Sequence, residues 1–92
     1  MYSLYEISDI NGQKINIGDY VWIKLRHDRY FHNDAGGIVI KTYYNGGAAL
    51  VKILYSKSPY FKIDSNMMRY WEYIKKMSIE EAALIIDRKS VV

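Results

Sequence analysis

Apolar and polar residues alternate with a period of two along much of residues 2 to 54, the pattern of strands that bury one face and expose the other. The clearest run follows Gly18-Asp19: Val21, Ile23 and Leu25 fall on one side, Tyr20, Trp22, Lys24 and Arg26 on the other. It predicts a half-buried strand whose lysine-bearing side faces away from the core. Upstream, residues 2 to 7 are rich in strand formers, Asp9-Ile10-Asn11-Gly12 is a turn signal, and Ile15 and Ile17 resume the alternation. Residues 27 to 37 are polar and aperiodic and end in Gly36-Gly37, which predicts the longest exposed loop with the glycine pair as a turn. Residues 38 to 44 form the next strand, Asn45-Gly46-Gly47 a hairpin turn, and residues 48 to 54 the antiparallel partner.

The only proline, Pro59, assigns residues 56 to 64 to a loop or a sheet edge, because it cannot donate to a central ladder. Beyond it two periods compete. Met67, Tyr70, Trp71, Ile74 and Met77 make a helical stripe, yet Tyr70-Trp71-Glu72-Tyr73-Ile74 has the composition of a strand. A strand over about residues 69 to 75 is favoured, because Ser78-Ile79-Glu80-Glu81 is a capping box that starts a separate helix over residues 79 to 88, with Ser78 as its N-cap. Met67, Met68 and Met77 with Tyr70, Trp71 and Tyr73 are expected to complete the core, any leftover rings forming an apolar contact patch.

Composition narrows the function classes. A chain of 92 residues, half hydrophobic and a quarter charged, holds one domain and leaves little volume for a large enclosed substrate cavity. The absence of cysteine removes disulfides, thiolate metal sites and cysteine nucleophiles, and suits a reducing cytoplasm. The first residues carry no basic region followed by an apolar run, and no apolar stretch reaches the ~20 residues of a membrane span, so neither a signal peptide nor a membrane partner is expected. A net charge of +3 favours anionic partners only weakly. Ten tyrosines exceed what so small a core encloses, so some rings must reach the surface. Ile, Lys, Asn and Tyr are all encoded by AT-rich codons, which gives that count a second source in genome composition.

The segments Asp9-Ile10-Asn11-Gly12, Ile17-Gly18-Asp19-Tyr20-Val21-Trp22-Ile23, Gly37-Ile38-Val39-Ile40 and Ala49-Leu50-Val51-Lys52-Ile53 together resemble an SH3-like small barrel of the KOW or Tudor type, over about residues 9 to 54. The resemblance implies Gly-Asp before a first barrel strand, Gly-Ile-Val opening the second and a short hairpin into the third. It also suggests RNA or ribosome binding, or an aromatic cage, and recognition through the loop at residues 26 to 35. The predicted architecture is mainly β: a small SH3-like antiparallel barrel of about five strands over residues 2 to 76, with a short C-terminal α-helix.

Two features are candidates for contact. On the outward side of the sheet Trp22, Lys24 and Arg26 fall on one strand, Lys41 and Tyr43 on the next and Lys52 on the third. If the strands are neighbours, cations and rings interleave as they do where phosphate attraction is combined with base stacking. The alternative is a solvated sheet face with one ring tucked under the C-terminal helix. The loop Arg26-His27-Asp28-Arg29-Tyr30-Phe31-His32-Asn33-Asp34 concentrates cations, acids and rings, with residue types enriched at interface hot spots; a mobile polar loop packed by Tyr30 and Phe31 is the plain alternative. His27 and His32 with Asp28 or Asp34 could be read as acid-base or metal chemistry, but the five-residue histidine spacing matches no ligand signature. Gly36-Gly37 and Asn45-Gly46-Gly47 lack the helix and Lys-Ser/Thr pair of a phosphate cradle.

The expectation is therefore a cytoplasmic, non-enzymatic module without cofactor or metal. It would bind nucleic acid or a nucleoprotein through Tyr20, Trp22, Lys24, Arg26, His27, Arg29, Tyr30, Phe31, Lys41, Tyr43 and Lys52. The alternative is a stand-alone inhibitor, of the kind phages and mobile elements encode, that blocks a host defence or transcription protein. A binder of a nucleotide-like small molecule is a third option.

Overall fold

The computed structural model describes residues 6–85. The turn signal at residues 9 to 12 closes a two-stranded hairpin of β1 (Ile7–Ser8) and β2 (Lys14–Ile15), with Gly12 at φ 79°. Residues 2 to 5 of the expected first strand lie outside the described residues. The alternation after Gly18-Asp19 becomes β3 (Tyr20–Ile23), with Val21 and Ile23 fully buried. It pairs antiparallel with β4 (Ala35–Tyr43), which continues through a hairpin into β5 (Ala48–Ser56). β6 (Asn66–Tyr70), a 3₁₀ turn (Trp71–Tyr73), β7 (Ile74–Lys76) and the helix α1 (Ile79–Ile85) follow.

The main sheet has the order β6-β5-β4-β3-β7, all neighbours antiparallel. Its inward faces bury Val21, Ile23, Val39, Ala49, Val51, Ile53 and Ile74, and the β1–β2 hairpin adds Ile7 and Ile15. Phe61, from the loop that contains Pro59, plugs the same core although its neighbours on either side are exposed. Each such side chain contributes roughly 1.5–3 kcal/mol by leaving water, so this single layer of contacts carries most of the fold. A second, smaller cluster lies on the opposite face, where Trp22, Met77 and Ala82 are buried with Tyr20, Phe31, Leu54, Tyr55 and Ile85 packed around them.

Three expectations are corrected. The sheet is not a closed barrel: the edge strands β6 and β7 are consecutive in the chain and joined by the 3₁₀ turn, but among the described residues no ladder joins them. Gly36 and Gly37 are not a turn at the end of the loop but lie inside β4, which begins at Ala35. The register slips between them, and a side chain at Gly37 would collide with the Lys52 carbonyl and Val51, while one at Gly36 would press on Met77 and the Trp22 ring. Close approach of neighbouring backbone and rings, not turn geometry, selects glycine there. Residues 66 to 77 are strand on both sides of one 3₁₀ turn, so neither a continuous helix nor a single strand over residues 69 to 75 forms.

The capping box forms as expected. The Glu81 N–H donates to Ser78 Oγ at 3.0 Å, and the Ser78 N–H donates to Glu81 Oε1 at 3.1 Å. Glu80 and Glu81 sit in the first turn, where acids complement the helix dipole. Residues 86 to 88 of the expected helix lie outside the described residues.

Candidate binding surface

The outward alternation of β3 is as counted, but its accessibility is not. Trp22 is only 4% exposed: Met77 and Ala82 cover it, Tyr55 meets it edge-on at 6.0 Å, and its Nε1–H donates to Glu81 Oε2 at 2.7 Å. Lys24 is 2% exposed. Neither is available to stack on a base or meet a phosphate. Tyr20 is half-buried beside Trp22. The indole, the Ser78 amide and Lys75 all favour the charged form of Glu81, with the Ser78 amide the largest influence, and hold its carboxyl below the usual glutamate range.

Lys24 instead organises the base of the loop between β3 and β4. Its ammonium donates to the Asp28 carbonyl at 3.1 Å and lies 5.5 Å from the Phe31 ring centre and 5.8 Å from that of Tyr73. Lys75 approaches Phe31 at 5.3 Å, and His27 meets Tyr73 edge-on at 6.0 Å. Arg69 stacks on Tyr73 at 4.2 Å, and its Nη2 donates to the carbonyls of Lys24 at 2.7 Å and Leu25 at 3.1 Å. This one side chain reaches from β6 to the chain just beyond β3, spanning the side that the sheet's ladders leave open. Burial lowers the Arg69 pKa, and Tyr73 opposes that shift. Sequence reasoning missed this role: Arg69 and Lys75 only bound the expected closing strand there, and Tyr73 is expected in the core.

The loop's acids are engaged within the loop. Asp34 Oδ2 accepts from the Leu25 N–H at 2.8 Å, and Asp28 faces His32 at 3.6 Å. The two histidines thus have different neighbours, His32 the Asp28 carboxylate and His27 the Tyr73 ring. Arg26, His27, Arg29 and Tyr30 are exposed, Arg29 lying 5.7 Å from the Tyr30 ring centre, and Phe31 is half-buried. Among the described residues no carboxylate lies within 4.0 Å of a Lys24, Arg26, Arg29 or Arg69 nitrogen.

Lys41, Tyr43 and Lys52 lie on the outward face of β4 and β5, Lys41 at 5.1 Å from the Tyr43 ring centre. The register sets Met68 beside Leu50 and Lys41, and Tyr70 beside Ala48 and Tyr43. Met68, Tyr70 and Trp71, expected in the core, are 51%, 52% and 43% exposed, because β6 is an edge strand and α1 does not reach it. Among the described residues Tyr30, Tyr44, Tyr60 and Tyr70 are the tyrosines that most plainly reach the surface. A groove of about 460 Å³ lies where the β1–β2 turn approaches Gly47 and Trp71.

Among the described residues no helix is long and apolar enough to cross a membrane. Comparison with protein-family models, with curated proteins and with solved structures finds no match to this chain.

Proposed function

We propose that the protein is a non-enzymatic binding module whose β3–β4 loop engages a nucleic acid or a nucleoprotein surface. One observation carries this reading. The loop spends its own acids internally and leaves Arg26 and Arg29 exposed beside Tyr30, over a base where Lys24, Arg69 and Lys75 crowd around Phe31 and Tyr73. Exposed guanidinium groups that form no ion pair among the described residues, next to an exposed ring, pair phosphate attraction with stacking worth ~1–3 kcal/mol per base. Lys41, Tyr43 and Lys52 add a separate set of cations and a ring on the sheet, Lys41 and Tyr43 toward the β4–β5 hairpin end of β4.

The accompanying fold reading is an opened SH3-like barrel. It is supported by Gly18-Asp19 before β3, Gly37-Ile38-Val39 within β4, the short hairpin into β5, and Arg69 spanning the open side. The cysteine-free composition supports a cytoplasmic setting.

The test is a titration of labelled single-stranded RNA and DNA. Lys24→Glu is unsuitable, because it would bury a carboxylate between ring faces. Arg26→Glu with Arg29→Glu changes only exposed positions. Wild-type affinity is expected to fall steeply between about 25 and 250 mM salt, and the double variant to lose more than about tenfold with a shallower salt slope. No wild-type binding at the lowest salt would end the reading. A second reading, an inhibitor that plugs a host protein's site, is favoured by the exposed rings of Tyr30, Tyr60 and Trp71. It expects one stoichiometric partner in a host pull-down, with binding that barely responds to salt.

A further inference from the structure

Among the described residues the β6 edge of the main sheet meets no other strand, and the geometry points to a second copy of this chain as its occupant. The bonds flanking the β5–β6 ladder fix which backbone groups face outward. Ile53 N–H donates to the Ser65 carbonyl at 2.9 Å and Trp71 N–H to the Gly47 carbonyl at 2.8 Å. Ladder bonds alternate along an antiparallel pair, so Met67 and Arg69 turn their N–H and C=O toward Val51 and Ala49. Asn66, Met68 and Tyr70 therefore turn theirs away from the sheet, where among the described residues no other strand meets them.

This edge carries no outward-facing device against pairing. It has no proline, no bulge and no lysine, and its only charged residue, Arg69, is turned back onto the Lys24 and Leu25 carbonyls. Two such edges brought together antiparallel about a twofold axis at Met68 place Met68 on Met68 and Asn66 on Tyr70. Every outward N–H then finds an outward C=O, and no like charges oppose one another. The neutral, self-complementary sequence is what selects a second copy over a charged partner strand. Met68 and Tyr70, about half exposed in the single chain, would pack beside their counterparts across the new ladder.

The test is the mass of the intact protein by sedimentation equilibrium from about 1 to 500 µM, a range suited to a weak, edge-mediated dimer. Mass is expected to rise from monomer toward dimer. Met68→Pro removes an outward N–H and no β5 ladder bond, so it should fold normally by circular dichroism and weaken the dimer by more than about tenfold. Met68→Lys, an exposed substitution that sets two cations face to face on the axis, should do the same. In hydrogen exchange, the Asn66, Met68 and Tyr70 amides should gain protection with concentration, while those of Met67 and Arg69 are protected throughout. A monomer over the whole range overturns the inference and leaves the edge to a strand of another protein. A dimer that survives both substitutions overturns it in favour of a different face.

Discussion

The two sides of the sheet are finished in opposite ways. On the β3–β7 side, the Ile74 carbonyl and the Lys76 N–H point away from β3, and both are taken: Ile10 N–H donates to the first at 2.9 Å, and Asp9 Oδ2 accepts from the second at 2.8 Å. The outward face there is also covered, with α1 held over Trp22 by the indole–Glu81 bond. On the β5–β6 side the edge groups of Asn66, Met68 and Tyr70 meet no strand, and the rings and methionine of the outward face stay half exposed. Burial is spent on one half of the molecule and contact surface is left on the other. A small domain cannot enclose all its rings, and this one concentrates the excess where no helix lies.

The covered side rests on Asp9, so removing it should have the largest effect. The carboxylate is buried, with Oδ1 accepting from the N–H groups of Asn11 and Gln13 at 2.9 and 2.8 Å and Oδ2 from Lys76. It shapes the hairpin turn and ties that turn to the β7 edge. Asp9→Ala would take the shared acceptor from three part-buried N–H donors and is expected to cost about 3 kcal/mol in urea unfolding. Amide exchange should accelerate at Lys76 before Val51. Equal acceleration at both would mean that Asp9 supports the whole fold and not one edge.

On the open side Arg69 ties β6 to the chain beyond β3, and its replacement should rank second. Arg69→Lys keeps the charge and loses the fork that spans two carbonyls and stacks on Tyr73. A loss of about 1–2 kcal/mol is expected, with faster proteolysis in the β3–β4 loop. A fully stable lysine variant would show that charge alone, and not the clasp, holds this side.

Which parts of this asymmetry could be read from the sequence follows from distance along the chain. Val21 and Ile23 are core because a period of two is a local property, and Ser78 with Glu81 caps a helix through bonds three residues apart. The alternation puts Trp22 on the outward face, but Met77 and Ala82 cover it there and Glu81, 59 residues away, accepts its N–H, and no local pattern carries that. Lys24 is buried by Phe31 and Tyr73 from two different segments. The glycine pair at 36 and 37 has the look of a turn, and only the neighbouring strand and Trp22 reveal why side chains are excluded there. Phe61 offers one signal, a phenylalanine in a loop between two lysines, although Tyr60 and Ile63 beside it stay exposed. Asp9 gave another, an acid opening an Asn-Gly turn, where its oxygens are positioned to accept from the following N–H groups.

The helix cover on the β3–β7 side supplies the smallest and most specific effect. The folded-state pKa of Glu81 lies below its unfolded value of about 4.5, through the Ser78 amide, the Trp22 indole and Lys75. The carboxylate's contribution is therefore complete above the unfolded value and lost as pH falls through the folded one. Because the group remains partly in water, that contribution should be less than about 1 kcal/mol. The informative quantity is the difference in stability between wild type and Glu81→Gln, which should shrink as pH drops from about 6 to 3. Over the same interval the Trp22 indole N–H resonance of the wild type should titrate and that of the variant should not, while Trp71, on the uncovered side, stays unchanged in both. A Trp22 resonance that ignores pH would show that the helix is held by packing on Met77 and Ala82 alone, and that the two sides of the sheet differ in apolar cover but not in charge.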